Sequence, residues 1–455
     1  MYRIPQRTGK AMRFLSLIIL ITLLLSLFAG CSGPGSEGTT PTTTEPSGSS
    51  EPQPTSPPET TLPPETTEPP TEPTEPYIVS TASVGVMGDV LMHSPLINSG
   101  SIGGGKYDFS NMFLHMEDLF GSVDFMVANL ETTLGGKEAG EYSGYPHFNC
   151  PDEIVQGLYD AGVDMLLTAN NHTYDTGKDG MLRTLQELEN VGMLHLGTRT
   201  DTSEFFYTIE NINGIRVGMI CYTYETTPTS DGRKCLNGIP LSQSAGPLVN
   251  SFDYNNLPGF YEELQDYLNQ MYVEEIDMSI VYIHWGEEYQ LSANKTQKAI
   301  AQQLCEMGVD VIVGGHPHVV QPFDTLTSTT GHKTYCMYST GNAISNQRRD
   351  LISQAPNGHS EDGVFFQVTF QKWNDGTTEV SGIDIIPTWV NREWLDNGRL
   401  YQIIPLDPAT EDWSAFGISS SSAEGSYKRT MAIVGEGLNE CREALGQDTV
   451  PLTMN

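Results

Sequence analysis

Positive charge is what this 455-residue chain has least of: 23 Lys and Arg stand against 57 Asp and Glu, a formal net charge of −34. Nucleic acid and anionic lipid surfaces are held through basic residues that neutralise phosphate, so this balance excludes both as general partners. It also repels a polyanionic polymer unless metal ions or a local basic patch intervene. Cysteine is sparse too. After Cys31 come Cys150, Cys221, Cys235, Cys305, Cys336 and Cys441, none in a CxxC or zinc-ribbon spacing. Export would allow some of them to pair, and the sequence does not choose among the connectivities. The apolar runs around Cys221, Cys305 and Cys336 favour buried free thiols there.

From Ser32 to Pro76 aromatic residues, Lys and Arg are absent, and nearly every position is Pro, Thr, Ser, Gly or Glu. Such a stretch cannot bury enough apolar surface to offset its ordering entropy. It reads as a disordered spacer, stiffened toward polyproline II, that at about 3.1 Å per residue reaches on the order of 100 Å. It serves either as a tether across a cell wall or as a leader without selected length. Before it, Arg3, Arg7, Lys10 and Arg13 precede an unbroken apolar run from Phe14 to Ala29, the layout of a signal peptide. The run ends Leu27-Phe28-Ala29-Gly30-Cys31, a lipobox-like close that makes Cys31 the lipidation site; an uncleaved transmembrane anchor is the alternative. Either reading exports the body to the extracellular face of the cell membrane, with the lipid anchor as its membrane contact. The expected organisation is 1–31 signal peptide and lipobox, 32–76 linker, and 77–455 one large domain, uninterrupted by a second linker.

Within that domain six β-rich runs stop abruptly at metal-ligand-type residues. Ala82 to Met87 ends in Gly88-Asp89, Asp124 to Ala128 in Asn129-Leu130-Glu131, and Asp164 to Thr168 in Ala169-Asn170-Asn171-His172. Met278 to Ile283 ends in His284-Trp285-Gly286-Glu287, Asp310 to Val313 in Gly314-Gly315-His316-Pro317-His318, and Thr334 to Tyr338 in Ser339-Thr340-Gly341-Asn342. Two of the runs follow look-alike segments, Leu158 to Asp164 and Leu304 to Asp310, each a helix closed by glycine before a buried strand. Strands alternating with helices imply a largely parallel arrangement whose carboxyl ends form one ligand-binding rim. Carboxylate, amide oxygen and imidazole together suit Zn, Mn or Fe ions in a two-metal site, whereas oxygen ligands alone would suit Mg or Ca. His316 and His318, two residues apart around Pro317, are expected to point the same way from extended chain. Trp285 offers a flat apolar wall, and Arg348 and Arg349 form either a basic lip or a solvent-exposed loop. Phe365 to Phe370 and Val380 to Ile386 alternate like edge strands, and Ser426 to Leu445 reads as a helix packed on the body.

The ordered set GD, NLE, NNHxxD, HWGxE, GxHPH and SxGN across Ala82 to Asn342 resembles the CapA (PGA_cap) family of the calcineurin-like metallophosphatase superfamily. The resemblance implies an α/β fold, a metallophosphatase-like sandwich of two β-sheets flanked by helices, with two divalent metal ions at the rim. It implies Asp89, Glu131, Asn171, His284, His316 and His318 as metal ligands, with either Glu131 or Asp89 bridging, and His172 as the catalytic acid. Leu91 stands where the wider superfamily has a histidine, so either His93 reaches back into the site or the first metal shell lacks one imidazole. Asp175, Glu287, Ser339 and Asn342 are substrate-binding or ligand-orienting candidates. Asp175 reads equally as a helix cap, Glu287 as part of a solvated loop, and Ser339 and Asn342 as a tight turn. His115, His147, His195, His332 and His359 read as non-ligands. The resemblance further implies a role in poly-γ-glutamate capsule assembly or export, with an anionic capsule polymer and other capsule-synthesis proteins as partners. Three classes stay open: a metal-dependent hydrolase or transferase, a non-catalytic assembly factor that holds a polyanion through metal ions, and a structural lipoprotein. His172 favours the first, because binding alone needs no proton donor. Replacing Cys31→Ala is expected to abolish incorporation of a labelled fatty acid, and unchanged labelling would refute the lipobox.

Overall fold

The computed structural model describes residues 75–454 apart from 397 and 411, so the signal peptide, Cys31 and nearly all of the linker lie outside the described residues. Among the described residues, setting aside the short two-stranded hairpins and one-turn helices, fifteen strands build two sheets. The first joins β1 (Ile78–Val90), β2 (Phe125–Leu130), β3 (Met165–Leu167) and β4 (Leu194–Leu196) in parallel. The second contains β5 (Tyr207–Ile212), β6 (Ile215–Tyr224), β7 (Ser251–Phe252), β8 (Met278–His284), β9 (Val311–Gly315), β10 (Phe323–Thr327) and β11 (Lys333–Met337). Here β7, β6, β8, β9 and β11 run parallel, with β5 and β10 antiparallel at the flanks. The chain then returns to the first sheet through β12 (Asn342–Ile344), parallel to β1, and an antiparallel meander of β13 (Asp362–Trp373), β14 (Thr378–Leu395) and β15 (Gly398–Pro405). The motif-bearing strands are thus parallel, as expected, and antiparallel pairing in the two sheets is confined to the meander and to the flanking β5 and β10. Phe365 to Phe370 and Val380 to Ile386 lie on β13 and β14, which have partners on both sides; their alternation reflects an interior pair, and β15 forms the edge.

Side chains alternate across each strand and both faces are buried, which fixes the layers. Val84 and Val86 of β1 meet Ile280 and Tyr282 of β8 and Val311 and Val313 of β9 in a core between the sheets. The opposite face of the first sheet, with Met87, Met126 and Ala128, is covered by α1 (Glu153–Ala161) and α2 (Gly177–Val191) through Ile154, Leu158 and Leu188. The opposite face of the second, with Ile220, Val281 and Ile283, is covered by α3 (Leu257–Val273) and α4 (Lys295–Glu306) through Leu264, Leu268, Ile300 and Leu304. The last helix, α5 (Ser420–Ala444), lays Tyr427, Met431, Val434 and Leu438 along the inter-sheet core. This is the two-sheet α/β sandwich with flanking helices.

A repeated aspartate sets strand entry. Asp124 accepts the Ser83 N–H at 2.9 Å, Asp164 the Met126 N–H at 2.9 Å, Asp277 the Arg216 N–H at 2.8 Å and Asp310 the Ser279 N–H at 2.8 Å. Each carboxylate satisfies a backbone donor of the neighbouring parallel strand, which aligns the strand starts and so also their far ends. The six described cysteines are free and buried.

The exit ends are tightly spaced. A Cβ on Gly314 would stand 2.0 Å from Tyr338 O and 2.5 Å from Trp285 Nε1, across the 2.9 Å bond from that indole N–H to Tyr338 O. Trp285 is thus fully buried against Tyr338 and does not wall the site, because the indole has its partner inside the core. Gly314→Ala is expected to cost about 3 kcal/mol by overpacking. A denaturation midpoint equal to wild type would contradict that packing.

Candidate metal centre

Asp89 closes β1 at a bulge, its backbone paired with Asn129 on one side and Asn342 on the other. Glu131 follows β2, Asn171 and His172 follow β3, His284 closes β8, and His316 and His318 follow β9. All seven side chains are buried. Donor atoms of Glu131, His284 and His316 lie within 4.8 Å of one another, as do those of Asp89, Glu131 and His318, and Glu131 belongs to both groups. His284 Nε2 and His318 Nε2 stand 3.6 and 3.7 Å from Glu131 Oε1, too far for hydrogen bonds. Neither Glu131 oxygen has a hydrogen-bond partner, and nor does His316 Nδ1. Buried acceptors left without donors are costly, and a cation among these atoms satisfies them together. Carboxylate with imidazole is a donor set for a transition-type divalent ion, so the residues fit a metal.

The electrostatics agree. Burial, then the neighbouring charge of Asp89, pushes the Glu131 carboxyl well above the usual carboxylate range. Burial also opposes ionisation of Asp89, but the His318 hydrogen bond, the His318 and His284 charges and the Asn129 amide outweigh it and hold that carboxyl low. Burial takes His284 down to about 3 despite the attraction of Asp89, and takes His316 well below the usual imidazole range. The imidazoles of His284 and His316 are therefore neutral, with lone pairs for a metal.

Further contacts orient these groups. Asn129 donates to Asp89 Oδ1 at 2.7 Å, and Asn170 donates to Asn129 Oδ1 at 3.2 Å and to Leu130 O at 2.9 Å. Asn171 Oδ1 lies 2.9 Å from His284 Nε2. His318 Nδ1 lies 3.1 Å from both Asp89 Oδ2 and Asn342 Oδ1, while the Asn342 amide donates to His318 O at 3.2 Å and Ser360 O at 3.0 Å. Asn342 thus positions His318. Asp175 takes the Nδ1 side of His172 at 2.7 Å and the Phe148 N–H at 2.7 Å, and Phe148 packs edge-on to His172 with ring centres 4.6 Å apart. The cap of α2 is Thr176, so the carboxylate of Asp175 serves His172 and not the helix.

A bacterial capsule synthesis family, "Bacterial capsule synthesis protein PGA_cap", matches residues 83–347, which contain Asp89, Glu131, Asn171, His172, His284, His316 and His318. The chain belongs to the PGA_cap family. It is similar to "PGA biosynthesis protein CapA" of Bacillus subtilis, 25% identical over 278 residues that make up 60% of this chain and 65% of that protein. It is 26% identical to "Capsule biosynthesis protein CapA" of Bacillus anthracis, over 53% of this chain and 55% of that one. A "Probable polyglutamine synthesis accessory protein" of Mycobacterium tuberculosis is 22% identical over 45% of this chain and 52% of its own. The matched stretches thus span about half to two thirds of these relatives' lengths.

Other expectations at the PGA_cap centre need correction. His316 and His318 are not extended but sit at φ 95° and 56°, a strained left-handed backbone that Pro317 between them does not relieve. Glu287 is exposed and has no hydrogen bond to His284. Ser339 is turned inward, donating to Val319 O at 2.8 Å and accepting from the Gly341 N–H at 3.2 Å, so it serves the turn and not a ligand. His93 Nδ1 contacts Leu91 O at 3.1 Å and the Asn346 N–H at 3.3 Å, and His93 joins neither ligand group. Arg348 and Arg349 are neither lip nor free loop: both pair with Glu361, at 3.3 and 2.7 Å. Asn129 and Asn170, each beside or within a ligand motif, were not singled out by sequence reasoning, nor was Tyr224, whose ring lies 4.8 Å from that of His316. Because Glu131 is common to both groups, Glu131→Gln is expected to lose bound Mn or Zn by elemental analysis, while Glu287→Gln keeps the wild-type content. In chelator Glu131→Gln should melt no lower than wild type, because the neutral amide avoids the cost of either ionising or protonating a buried carboxyl beside Asp89. Unchanged metal content in Glu131→Gln would contradict the assignment.

Proposed function

We propose that this PGA_cap chain is an extracytoplasmic lipoprotein acting as a metal-dependent hydrolase of a phosphoester or related bond in the assembly or export of a poly-γ-glutamate capsule. The observation that carries the reading is Glu131, shared between two buried ligand groups, beside an imidazole that Asp175 holds by one nitrogen. The names of the Bacillus relatives support the capsule setting. Asp89, Glu131, Asn171, His284, His316 and His318 would hold two divalent ions of the Mn, Zn or Fe type, with Glu131 between them. When bound, such ions supply Lewis acidity toward an ester or amide oxygen and make water a better nucleophile.

The protein's own residues do the rest. Asp175 accepts the hydrogen bond from Nδ1 of His172, which fixes the tautomer and the orientation of the ring. Nε2 is then the His172 nitrogen available to pass a proton to a leaving oxygen. Phe148 excludes water from one side of that ring and donates its N–H to the same Asp175 oxygen, so the acid is held rigidly. The Asn170–Asn129–Asp89 chain orients Asp89, whose carboxyl is held low chiefly by the His318 hydrogen bond.

The test is hydrolysis of an activated phosphodiester and of γ-linked glutamate oligomers with Mn or Zn supplied. His318→Ala is expected to lose metal and activity together. His172→Ala is expected to retain the metal and lose roughly 10²–10⁴-fold in rate, the usual worth of a positioned general acid. If metal-loaded wild type turns over neither substrate but retains the polymer, and His172→Ala retains it equally, a non-catalytic assembly role replaces the hydrolase.

A further inference from the structure

A groove of about 770 Å³ lies between the helix Ser94–Ser99, the hairpin beginning at Ser101, and the end of the β14–β15 hairpin. Asn98, Ile102, Asn111, Trp394, Leu395 and Arg399 are among its lining residues. Two features set it apart. Large apolar side chains are left in solvent there, Ile102 and Trp394 each 65% exposed, which marks a surface that meets something. And among the described residues no Asp or Glu lines it, in a chain of net charge −34.

Arg399 is the cation of the groove. Among the described residues it makes no ion pair, and its guanidinium lies 4.2 Å from the centre of the Trp394 ring. Arg392 lies on the same indole at 5.9 Å but is engaged with Asp350 at 2.9 Å. A cation over an indole face is partly desolvated and preorganised, and it keeps its outward N–H donors for an anion. The Asn98 and Asn111 amides add neutral donors and acceptors suited to peptide groups. A neutral glycan usually needs carboxylate acceptors for its hydroxyls, and the lining has none.

The groove adjoins the segment that follows Asp89 in the chain. Its helix begins immediately after His93, whose Nδ1 faces the Asn346 N–H at 3.3 Å, and Asn346 Oδ1 accepts from the hydroxyl of Tyr401 on β15 at 2.6 Å. We propose that this groove binds an acidic polypeptide chain, its carboxylates received by Arg399 and its aliphatic stems lying on Trp394 and Ile102. It is the local positive site that lets a strongly acidic protein hold a polyanion without routing it through the metals. The binding stands whether or not the metal centre turns over.

The experiment is isothermal titration of the full chain with oligoglutamate, γ- and α-linked, before and after chelation of metal. Wild type is expected to bind in both conditions, with affinity falling as salt rises. Arg399→Ala and Trp394→Ala are each expected to weaken binding roughly tenfold or more, and Trp394→Phe to restore most of that loss. Asn111→Asp, which places a carboxylate in the groove, is expected to abolish binding, and all four variants should keep the wild-type metal content. No binding by wild type, binding that vanishes on chelation, equal affinity in Arg399→Ala, or tighter binding of a chitin oligosaccharide would each overturn the proposal. Loss of hydrolysis alone would bear only on the metal centre.

Discussion

Two carboxylates buried side by side are the constraint on which this fold turns. Asp89 and Glu131 are fully enclosed, and Glu131 has no donor for either oxygen. In a medium that screens charge poorly, two such anions repel strongly, and one takes up a proton or a metal supplies positive charge. The groups around them decide between those outcomes. Three imidazoles converge on the pair, those of His284 and His316 held neutral by burial, and the His318 hydrogen bond, with the Asn129 amide, holds the Asp89 carboxyl low. A proton would satisfy one oxygen, whereas cations would satisfy Glu131, the imidazole nitrogens and Asp89 at once.

The architecture makes this possible by aligning strand ends across two sheets. The aspartates that open β2, β3, β8 and β9 pin neighbouring strands at their starts, and the matching far ends then deliver Asp89, Glu131, His284 and His316 to one place. Glycines at the exits let backbone approach backbone, and the left-handed turns at His316 and His318 carry strain that the rigid surroundings sustain. That strain sits at the ligands themselves, as expected where geometry for a bound group outweighs local backbone preference.

Much of this was legible in the sequence because strand and ligand are contiguous there. Each of the six β-rich runs lies on a strand, and Asp89, Glu131, His284, His316 and His318 come together as the motifs imply. What was not legible depends on partners distant in sequence. The burial of Trp285 is decided by Tyr338, the engagement of Arg348 and Arg349 by Glu361, and the inward turn of Ser339 by Val319. The meander β13–β15 resembles edge strands because alternation reports buried faces and not position within a sheet. The bend at His316-Pro317-His318 defeats a local rule, since extended backbone is the ordinary state before proline and the site imposes another. Asp175 was ambiguous between cap and partner until Thr176 proved to be the cap residue.

The central proposal is that one carboxylate, Glu131, would hold two metal ions. The direct measurement is the low-temperature electron paramagnetic resonance spectrum of the protein titrated with Mn²⁺ to saturation. Two ions sharing a carboxylate are exchange-coupled, so the account predicts a coupled-pair signal that grows in as the second ion binds and is lost in Glu131→Gln. A saturated protein that shows only the six-line spectrum of isolated Mn²⁺, or that takes up no Mn²⁺ while folded, would contradict it.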